Sequence, residues 1–282
     1  MSTQLAIIPK TTTDERIIEM WLHEHSPKTV KAYKTDIDQF LAIVRKPIRE
    51  ITLSDLQDYV DSLSTCAKTT QARKIATVKS LFTFCLKTGY ITLNPAEVIK
   101  TPKTRGKLNQ RILTESQVSK MIALESNPRD HLILKLLYSA GLRVSELCNL
   151  KWEDCIERDN GLYQITIHGK GNKTRTILLN KETSKLLASW KLGKSETYVI
   201  FASHNKPINP STVWRIVKKA AKLAGLPEDV SPHWLRHAHA SHALDRGAPV
   251  SLVKETLGHE SLATTSIYTH ARPNDSSSLY LP

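Results

Sequence analysis

Residues 231–242 read SPHWLRHAHASH, and this stretch predicts a helix that carries two chemically useful side chains on one face. His233 and Arg236 are three residues apart, so they project from the same side of a helix. Imidazole titrates near neutral pH and suits acid–base work, and guanidinium can bind two oxygens of one anion. The pair therefore predicts a site for a small anion such as a phosphate. The alternative is a structural helix with Trp234 and Leu235 in the core and incidental polar residues.

A second informative stretch, residues 257–270, reads LGHESLATTSIYTH. Gly258 is typical of the residue that follows a helix, and His259 projects from the turn after it. Tyr268 comes nine residues later. Taken alone, a tyrosine is far more often a core or surface aromatic than a nucleophile, so its interpretation depends on the other stretches.

Residues 140–147 read AGLRVSEL, in which Gly141 predicts a sharp break between two apolar helices. Arg143 then lies at the start of a helix, where free backbone N–H groups also favour an anion. Taken alone, Arg143 is more often a surface arginine paired with Glu146 one turn later.

Residues 168–175 read HGKGNKTR and predict the turn of a hairpin. Lys170 lies between two glycines, so its ammonium group can reach into a groove with little steric hindrance. It could contact DNA or donate a proton, although an ordinary solvated turn is the commoner outcome.

The hydrophobic pattern predicts a mainly α-helical chain with a small antiparallel β-sheet in its C-terminal part. Ser26-Pro27 is a helix start signal, and apolar residues recur at helical spacing after it. Further helices are predicted after Thr52, over 69–87, from Asn94, after Thr114, and over 131–139, 144–150, 211–224, 233–246 and 249–257. The predicted strands are 162–167 and 174–179.

A linker is predicted at residues 100–110, KTPKTRGKLNQ, because they are polar and basic and contain Pro102 and Gly106. We therefore expect two domains. The first is a helical domain over residues 1–106, and the second covers residues 107–282.

The chain has 40 Lys and Arg against 27 Asp and Glu, a formal charge of +13, and both predicted domains are basic. This balance favours a polyanionic partner, but a basic soluble protein is about equally compatible with it. No apolar run approaches about 18 residues, so no membrane span is expected, and residues 1–10 do not resemble a secretory signal. Four cysteines without a C-x-x-C pair are expected to be reduced core residues. They are Cys66, Cys85, Cys148 and Cys155.

Together and in this order, the stretches resemble the signature of the tyrosine recombinase (integrase) family, especially its Xer-like branch. The signature positions are Arg143, Lys170, His233-x-x-Arg236, Leu257-Gly258-His259 and Tyr268. The similarity extends to the flanking residues of each stretch. In the first domain, SPKTVKAYKTDIDQF and RKIATVKSLFTFCLKTGYITLNPAEVIKTPK resemble the core-binding helical domain of the family. The resemblance therefore covers nearly the whole chain.

The resemblance implies a two-domain clamp on double-stranded DNA, with a core DNA-binding domain followed by the catalytic domain. In the family, a tyrosine hydroxyl attacks a DNA phosphate and forms a 3′-phosphotyrosyl bond, as in type IB topoisomerases. Strands are then rejoined through a Holliday junction. Because the covalent bond conserves the phosphodiester energy, no ATP, metal or other cofactor is implied.

The resemblance also implies a role for each matching residue. Tyr268 is the implied nucleophile, His233 its general base, and Lys170 the acid for the leaving 5′-oxygen. The implied ligands of the phosphate are Arg143, Arg236 and His259. Glu146 would hold Arg143 or His233 in place.

Non-specific contacts with the DNA backbone are expected from basic residues that cluster on predicted helices and beside the hairpin turn. These residues are Lys28, Lys31, Lys68, Arg73, Lys74, Lys79, Lys173, Arg175, Arg215 and Lys218. The implied assembly is a homotetramer, or a tetramer with related recombinase subunits, on two DNA sites. The expected location is the cytoplasm, in association with the nucleoid.

Two other functions deserve comparison. A catalytically silent, sequence-specific DNA-binding regulator explains the charge and the helices, but not the presence of a workable side chain at every signature position. A metallohydrolase is suggested by the histidines of 233–242, but these lack the H-E-x-x-H pattern and a nearby carboxylate ligand before Asp245.

The two ends of the chain bear on the type of recombinase. About 13 residues precede the helix signal at Asp14, so no separate arm domain is expected, which favours a simple Xer-like enzyme. Residues 276–278 are three serines, which disfavours a C-terminal helix. Residues 279–281 then either dock on a neighbouring subunit as an extended plug or form a frayed terminus.

Overall fold

The computed structural model describes residues 8–9, 11–23, 25–102, 111–169, 173–191, 200–203, 206–259, 261, 264–265 and 268. The chain divides into two compact units, Met1–Gly106 and Lys107–Pro282. Within the described residues the class is mainly α-helical with a small antiparallel sheet in the second unit, as the sequence predicted. No described helix combines the length and the apolar character that a membrane crossing needs.

The first unit is built on amphipathic helices whose apolar faces meet in one core. Its helices are α1 (Asp14–His23), α2 (Pro27–Val44), α3 (Leu53–Ser62) and α4 (Lys68–Lys87). Ser26 caps α2 by accepting a hydrogen bond from the backbone N–H of Thr29, and Pro27 occupies the first helical position. Thr52 and Asp55 form a capping box at the start of α3. Phe40 and Phe82 are fully buried between these helices.

One prediction for this unit is wrong. Residues 95–98 form turns and not the short helix expected after Asn94. The side-chain oxygen of Asn94 accepts a hydrogen bond from the backbone N–H of Ala96, 3.0 Å away, and this local bond favours a turn over a helix.

The second unit begins with three helices, continues through a β-sheet and ends with further helices. Its elements are α5 (Glu115–Ala123), α6 (Pro128–Ser139), α7 (Val144–Cys148), β1 (Cys155–Glu157), β2 (Tyr163–His168), β3 (Thr174–Leu178), α8 (Lys181–Lys191), β4 (Ala202–Ser203), β5 (Lys206–Pro207), α9 (Pro210–Leu223), α10 (Pro232–Asp245) and α11 (Val250–Leu257). The hydrophobic pattern predicted neither α8 nor the short strands β1, β4 and β5. The four cysteines are free, and three of them are buried.

The antiparallel sheet has the order β1-β2-β3. Ile165 and Ile167 point into the core, and the register places Ile167 opposite Arg175. Because side chains alternate along a strand, Arg175 shares the inner face of β3 with Ile177. The hairpin is closed by a hydrogen bond from the N–H of Gly169 to the carbonyl oxygen of Lys173. The sheet therefore directs one arginine inward, toward α7 and α11.

Candidate active site

The C-terminal end of α11 binds three arginines that lie far apart in the sequence. Arg175 donates to the carbonyl oxygen of Thr256 (2.7 Å), Arg236 to that of Leu257 (2.6 Å) and Arg143 to that of Gly258 (3.2 Å). The last carbonyls of a helix have no partner within the helix, and the helix dipole makes this end attractive to cations. Three consecutive carbonyl groups thus bring three guanidinium groups together.

Arg236 is the most enclosed of the three. It is 5% exposed and donates a second hydrogen bond to the carbonyl oxygen of Gly141, 2.5 Å away. Burial, followed by the charge of Arg143, lowers the pKa of Arg236 to about 10. With this pKa the guanidinium is still charged at neutral pH. Its N–H groups that are not bonded to these carbonyls therefore belong to a positively charged group.

Gly141 allows this close approach. Its φ of +58° is rare for residues with a side chain, and an added Cβ would lie 2.6 Å from Cδ2 of Leu257. The break that the sequence predicted at Gly141 is therefore both a backbone turn and a point of contact with α11.

Glu146 on α7 binds two of the arginines. Its carboxylate accepts hydrogen bonds from the guanidinium and the backbone N–H of Arg143, each 2.8 Å long, and two from Arg175, 2.9 and 2.8 Å long. Burial would raise the pKa of Glu146, but the hydrogen bonds from Arg175 and Arg143 outweigh it and keep the pKa below its ordinary value. Glu146 is thus an ionised group that orients both guanidiniums.

Arg175 was predicted to contact DNA, which implies an exposed side chain, but its position is different. Its side chain is 12% exposed, and its guanidinium group packs on Gly258, where an added Cβ would lie 3.1 Å from a guanidinium nitrogen. The signal for this position was present in the sequence, because Arg175 alternates with the buried Ile177 on strand β3.

Two histidines lie next to the arginines. His259 follows the end of α11, and its Nδ1 is 2.9 Å from the hydroxyl of Thr265. Burial and the charges of Arg236 and Arg143 lower the pKa of His259 to about 4. His233 is on the first turn of α10, where partial burial and the same two arginines lower its pKa. Both imidazoles are therefore neutral at neutral pH and can donate one N–H to an anion.

Tyr268 is buried beside this group of residues. It is 4% exposed and packs with Ile112, Ala240, Val253 and Leu257. Burial raises the pKa of Tyr268, while the charge of Arg236 acts in the opposite direction.

The hydroxyl of Tyr268 lies 2.6 Å from Nδ1 of His237. In the sequence, His237 stood out only as one of the histidines of 233–242 that suggested a metal site. The distance in sequence from His237 to Tyr268 is 31 residues, so no local pattern reveals this contact.

A cleft of about 1040 Å³ opens in front of Arg143 and His259. The exposed Lys173 at the base of the hairpin also lines this cleft. Lys170, the predicted acid, lies outside the described residues, as do residues 269–282, including the predicted C-terminal plug. Arg143, Lys173 and Arg175 therefore bring positive charge to the lining of this cleft.

The other residues predicted to contact DNA lie on three helices. Lys31, Lys68, Arg73 and Arg215 are exposed, whereas Lys74, Lys79 and Lys218 are partly buried. Some have partners within the protein: Arg73 forms an ion pair with the buried Asp36, Lys79 donates to the carbonyl oxygen of Ile99, and Lys218 donates to that of Glu228. Lys28 is the second residue of α2, but its side chain is outside the described residues.

The histidines of α10 have separate partners and do not converge. His237 faces Tyr268, whereas Nδ1 of His239 is 2.8 Å from the carbonyl oxygen of Tyr138, and Nε2 of His242 is 2.9 Å from that of Leu113. Among the described residues, no group of three or more histidine, cysteine or carboxylate side chains could hold a metal ion.

Comparison with known proteins identifies the family of the chain. The model of the Phage integrase family matches residues 111–275, and that of the phage integrase N-terminal SAM-like domain matches residues 19–89. The chain belongs to the phage integrase family of tyrosine recombinases. The resemblance seen in the sequence is thereby confirmed, and the recombinase is an enzyme of DNA recombination.

Two relatives are similar along nearly their whole length. A tyrosine recombinase of Thermosipho africanus is 36% identical over 272 residues, which cover 91% of this recombinase and 95% of that protein. The tyrosine recombinase XerC of Thermodesulfovibrio yellowstonii is 35% identical over 263 residues, with 87% and 86% covered.

Two solved structures share the fold. The XerH site-specific recombinase, bound to palindromic difH substrate in a post-cleavage complex, has a TM-score of 0.76 at 22% identity and covers 93% of this recombinase and 81% of that chain. A lambda integrase tetramer bound to a Holliday junction has a TM-score of 0.74 at 21% identity, with 94% and 79% covered.

Proposed function

We propose that this recombinase cuts and rejoins double-stranded DNA through a covalent 3′-phosphotyrosyl bond to Tyr268. The observation that carries the proposal is the convergence of Arg143, Arg175 and Arg236 on the last carbonyls of α11, next to His259 and Tyr268. A phosphate that undergoes attack gains negative charge on its non-bridging oxygens, and preorganised donors stabilise that charge.

Each signature residue has a proposed role in this reaction. Arg143, Arg236 and His259 bind the non-bridging oxygens, and Glu146 holds Arg143 in orientation. A histidine of α10 accepts the proton of the Tyr268 hydroxyl. The sequence predicts that this histidine is His233. Lys170 is the proposed acid that protonates the leaving 5′-oxygen. With charged donors already in the site, the chemistry needs neither a metal ion nor ATP, as in type IB topoisomerases.

We further propose that four subunits act on two DNA sites through a Holliday junction, as a homotetramer or together with related recombinase subunits. Support comes from the lambda integrase tetramer, which shares the fold and is bound to such a junction. Residues 1–106 would act as the core DNA-binding domain and residues 107–282 as the catalytic domain. The proposed place of action is the nucleoid of the cytoplasm, and the exposed lysines and arginines of both units would contact phosphates.

Family membership supports the enzyme over the catalytically silent regulator, and a covalent-adduct assay tests the choice. DNA that is trapped on the recombinase in its native cells would be sequenced to identify the site. A nicked duplex carrying that site would then be incubated with the wild type and with Tyr268→Phe, and the products separated on a denaturing gel. The wild type is expected to form an adduct and Tyr268→Phe to bind the duplex without forming one. A normal adduct yield from Tyr268→Phe would refute the proposal.

A further inference from the structure

The hydroxyl of Tyr268 has a defined side-chain partner in α10. Nδ1 of His237 lies 2.6 Å from the phenolic oxygen, and the two ring centroids are 5.6 Å apart. His237 directly follows Arg236, so the partner of the tyrosine and a proposed ligand of the phosphate are fixed on the same turn of one helix. Among the described residues, His237 is the side chain that reaches this oxygen.

The protonation states of the pair define the direction of the hydrogen bond. Burial raises the pKa of Tyr268, so the phenol keeps its proton at neutral pH. Burial, followed by the charges of His233, Arg236 and Arg111, lowers the pKa of His237 to about 4, so its imidazole is neutral. Phenol is the stronger acid and neutral imidazole the stronger base, so the hydroxyl donates and Nδ1 accepts. The proton of the nucleophile is therefore already directed at His237.

We propose that His237, and not His233, accepts the proton of Tyr268 when the phenolic oxygen attacks a DNA phosphate. This inference rests on the proposed function. The bond from the Tyr268 oxygen to phosphorus forms while the O–H bond breaks and the proton moves to Nδ1. The bond from phosphorus to the 5′-oxygen breaks, and the leaving oxygen takes a proton from the acid, for which Lys170 is the prediction. In rejoining, His237 returns its proton to the phenolic oxygen.

His233 has a position that suits another task. Its ring centroid is 6.5 Å from that of His237, it is the exposed residue on the first turn of α10, and its strongest charged neighbours are Arg236 and Arg143. Both histidines line a pocket of about 370 Å³ together with Arg111 and Trp214. This location favours His233 as a donor to the phosphate, because its charged neighbours are the proposed phosphate ligands.

The charges around His237 fit a reversible proton transfer. The titratable groups around it are His233 and Arg236 on α10, Arg111 from the segment before α5, His259 after α11 and Tyr268, and Asp229 lines the same pocket. The positive neighbours disfavour a protonated imidazole in the free protein. A bound phosphate supplies the opposite charge and raises the basicity of His237 at the moment when it is needed. The proton acceptor is thus strengthened by substrate binding.

The test compares His237→Gln with His233→Gln in single-turnover adduct formation on the nicked duplex, from about pH 5.5 to about pH 8.5. Glutamine can accept the hydrogen bond of the tyrosine but cannot take its proton. At neutral pH, His237→Gln is expected to form adduct about 100-fold more slowly than the wild type, and its rate should rise with pH as hydroxide replaces the histidine. His233→Gln is expected to be slower without gaining this pH dependence, because only a phosphate contact is lost.

A wild-type rate for His237→Gln, or the steep pH dependence in His233→Gln instead, would overturn the inference. If the wild type forms no adduct or Tyr268→Phe forms a normal one, the proposed function itself fails. If His237→Gln does not fold, the nitrogen NMR signals of His237 in the wild type decide. Nδ1 should be unprotonated and should lose its hydrogen bond in Tyr268→Phe, and a proton on Nδ1 would contradict the inference.

Discussion

Both carboxylate oxygens of Glu146 accept a hydrogen bond from Arg175, at 2.9 and 2.8 Å, in a pair whose side chains are 5% and 12% exposed. A buried carboxylate of this kind leaves an uncompensated charge when its partner is removed. This ion pair therefore affects the stability of the second unit. It also affects the orientation of Arg143, whose guanidinium binds the same carboxylate.

Replacement Glu146→Gln is expected to lower the free energy of unfolding by about 3–5 kcal/mol, because two guanidiniums lose their counter-charge. Chemical denaturation measures this loss. The control is Glu182→Gln, since Glu182 is 68% exposed in its pair with Lys135 and should cost at most about 1 kcal/mol. Equal losses for the two variants would contradict the prediction.

The stabilisation from Glu146 should also depend on pH. The pKa of Glu146 in the folded protein is below its ordinary value of 4.5, because the hydrogen bonds from Arg175 and Arg143 outweigh burial. The contribution is therefore complete above the unfolded-state pKa and is lost as the pH falls through the folded-state pKa. The difference in unfolding free energy between wild type and Glu146→Gln should be constant above about pH 5 and shrink below about pH 4. A difference that grows on acidification would argue against this assignment.

Replacement Gly141→Ala is expected to destabilise the protein more than Gly161→Ala. Both glycines have positive φ, +58° and +73°, so both alanines carry a backbone strain of about 1–2 kcal/mol. The added Cβ at Gly161 has no atom within 4 Å, but the one at Gly141 would meet Leu257 at 2.6 Å. Overpacking should add about 1–3 kcal/mol to the second case, measurable by thermal unfolding. Equal melting temperatures for the two variants would show that α11 moves away from the added methyl group without loss of stability.

Replacement Arg236→Lys is expected to slow adduct formation by about 10²–10³-fold, because an ammonium keeps the charge but loses the forked geometry. The matched control is Arg246→Lys at the end of the same helix, where the arginine is 72% exposed and pairs with Glu115. That control should cleave at the wild-type rate. Nearly normal cleavage by folded Arg236→Lys would remove Arg236 from the proposed phosphate site.

Binding to the duplex is expected to weaken steeply as salt rises, since phosphate contacts release counterions. Replacement of the exposed Lys31 or Lys68 by alanine should reduce the logarithmic salt slope by about 1 each. Lys46→Ala serves as the control, because Lys46 pairs with Asp55 at 2.6 Å. An unchanged slope in both test variants would show that these lysines do not contact the backbone.

Adduct formation is expected to persist in EDTA, because the proposed chemistry uses guanidinium and imidazole groups and no metal. The nicked-duplex assay with and without chelator measures this. A loss of cleavage that added magnesium restores would require a different mechanism.

Local sequence signals predicted much of the fold because the strongest of them act within a few residues. Capping residues such as Ser26 and Thr52 specify helix starts without reference to the rest of the chain. Strand β1 has only three residues, and β4 and β5 two each, so no alternation can develop in them. These strands form because a longer neighbour or a partner strand provides their hydrogen bonds.

The site could be predicted only in part, for a related reason. The signature residues were visible as a pattern, but the contacts that organise them join distant segments. Arg175 meets Glu146 over 29 residues, and Tyr268 meets His237 over 31. Hydrophobic periodicity assigns a face to each residue but not the partner across the core. The alternation on β3 could have placed Arg175 inward, whereas no local signal could have paired Tyr268 with His237.

The partners that gather the three guanidiniums at the end of α11 are main-chain oxygens, which no exchange of side chains along that helix removes. Three residues are exposed on α11 and take no part in these hydrogen bonds: Ser251, Leu252 and Glu255. Substitutions on the exposed face of the helix can therefore change the lining of the cleft, to which Leu252 and Glu255 contribute, while the three guanidiniums keep their main-chain partners.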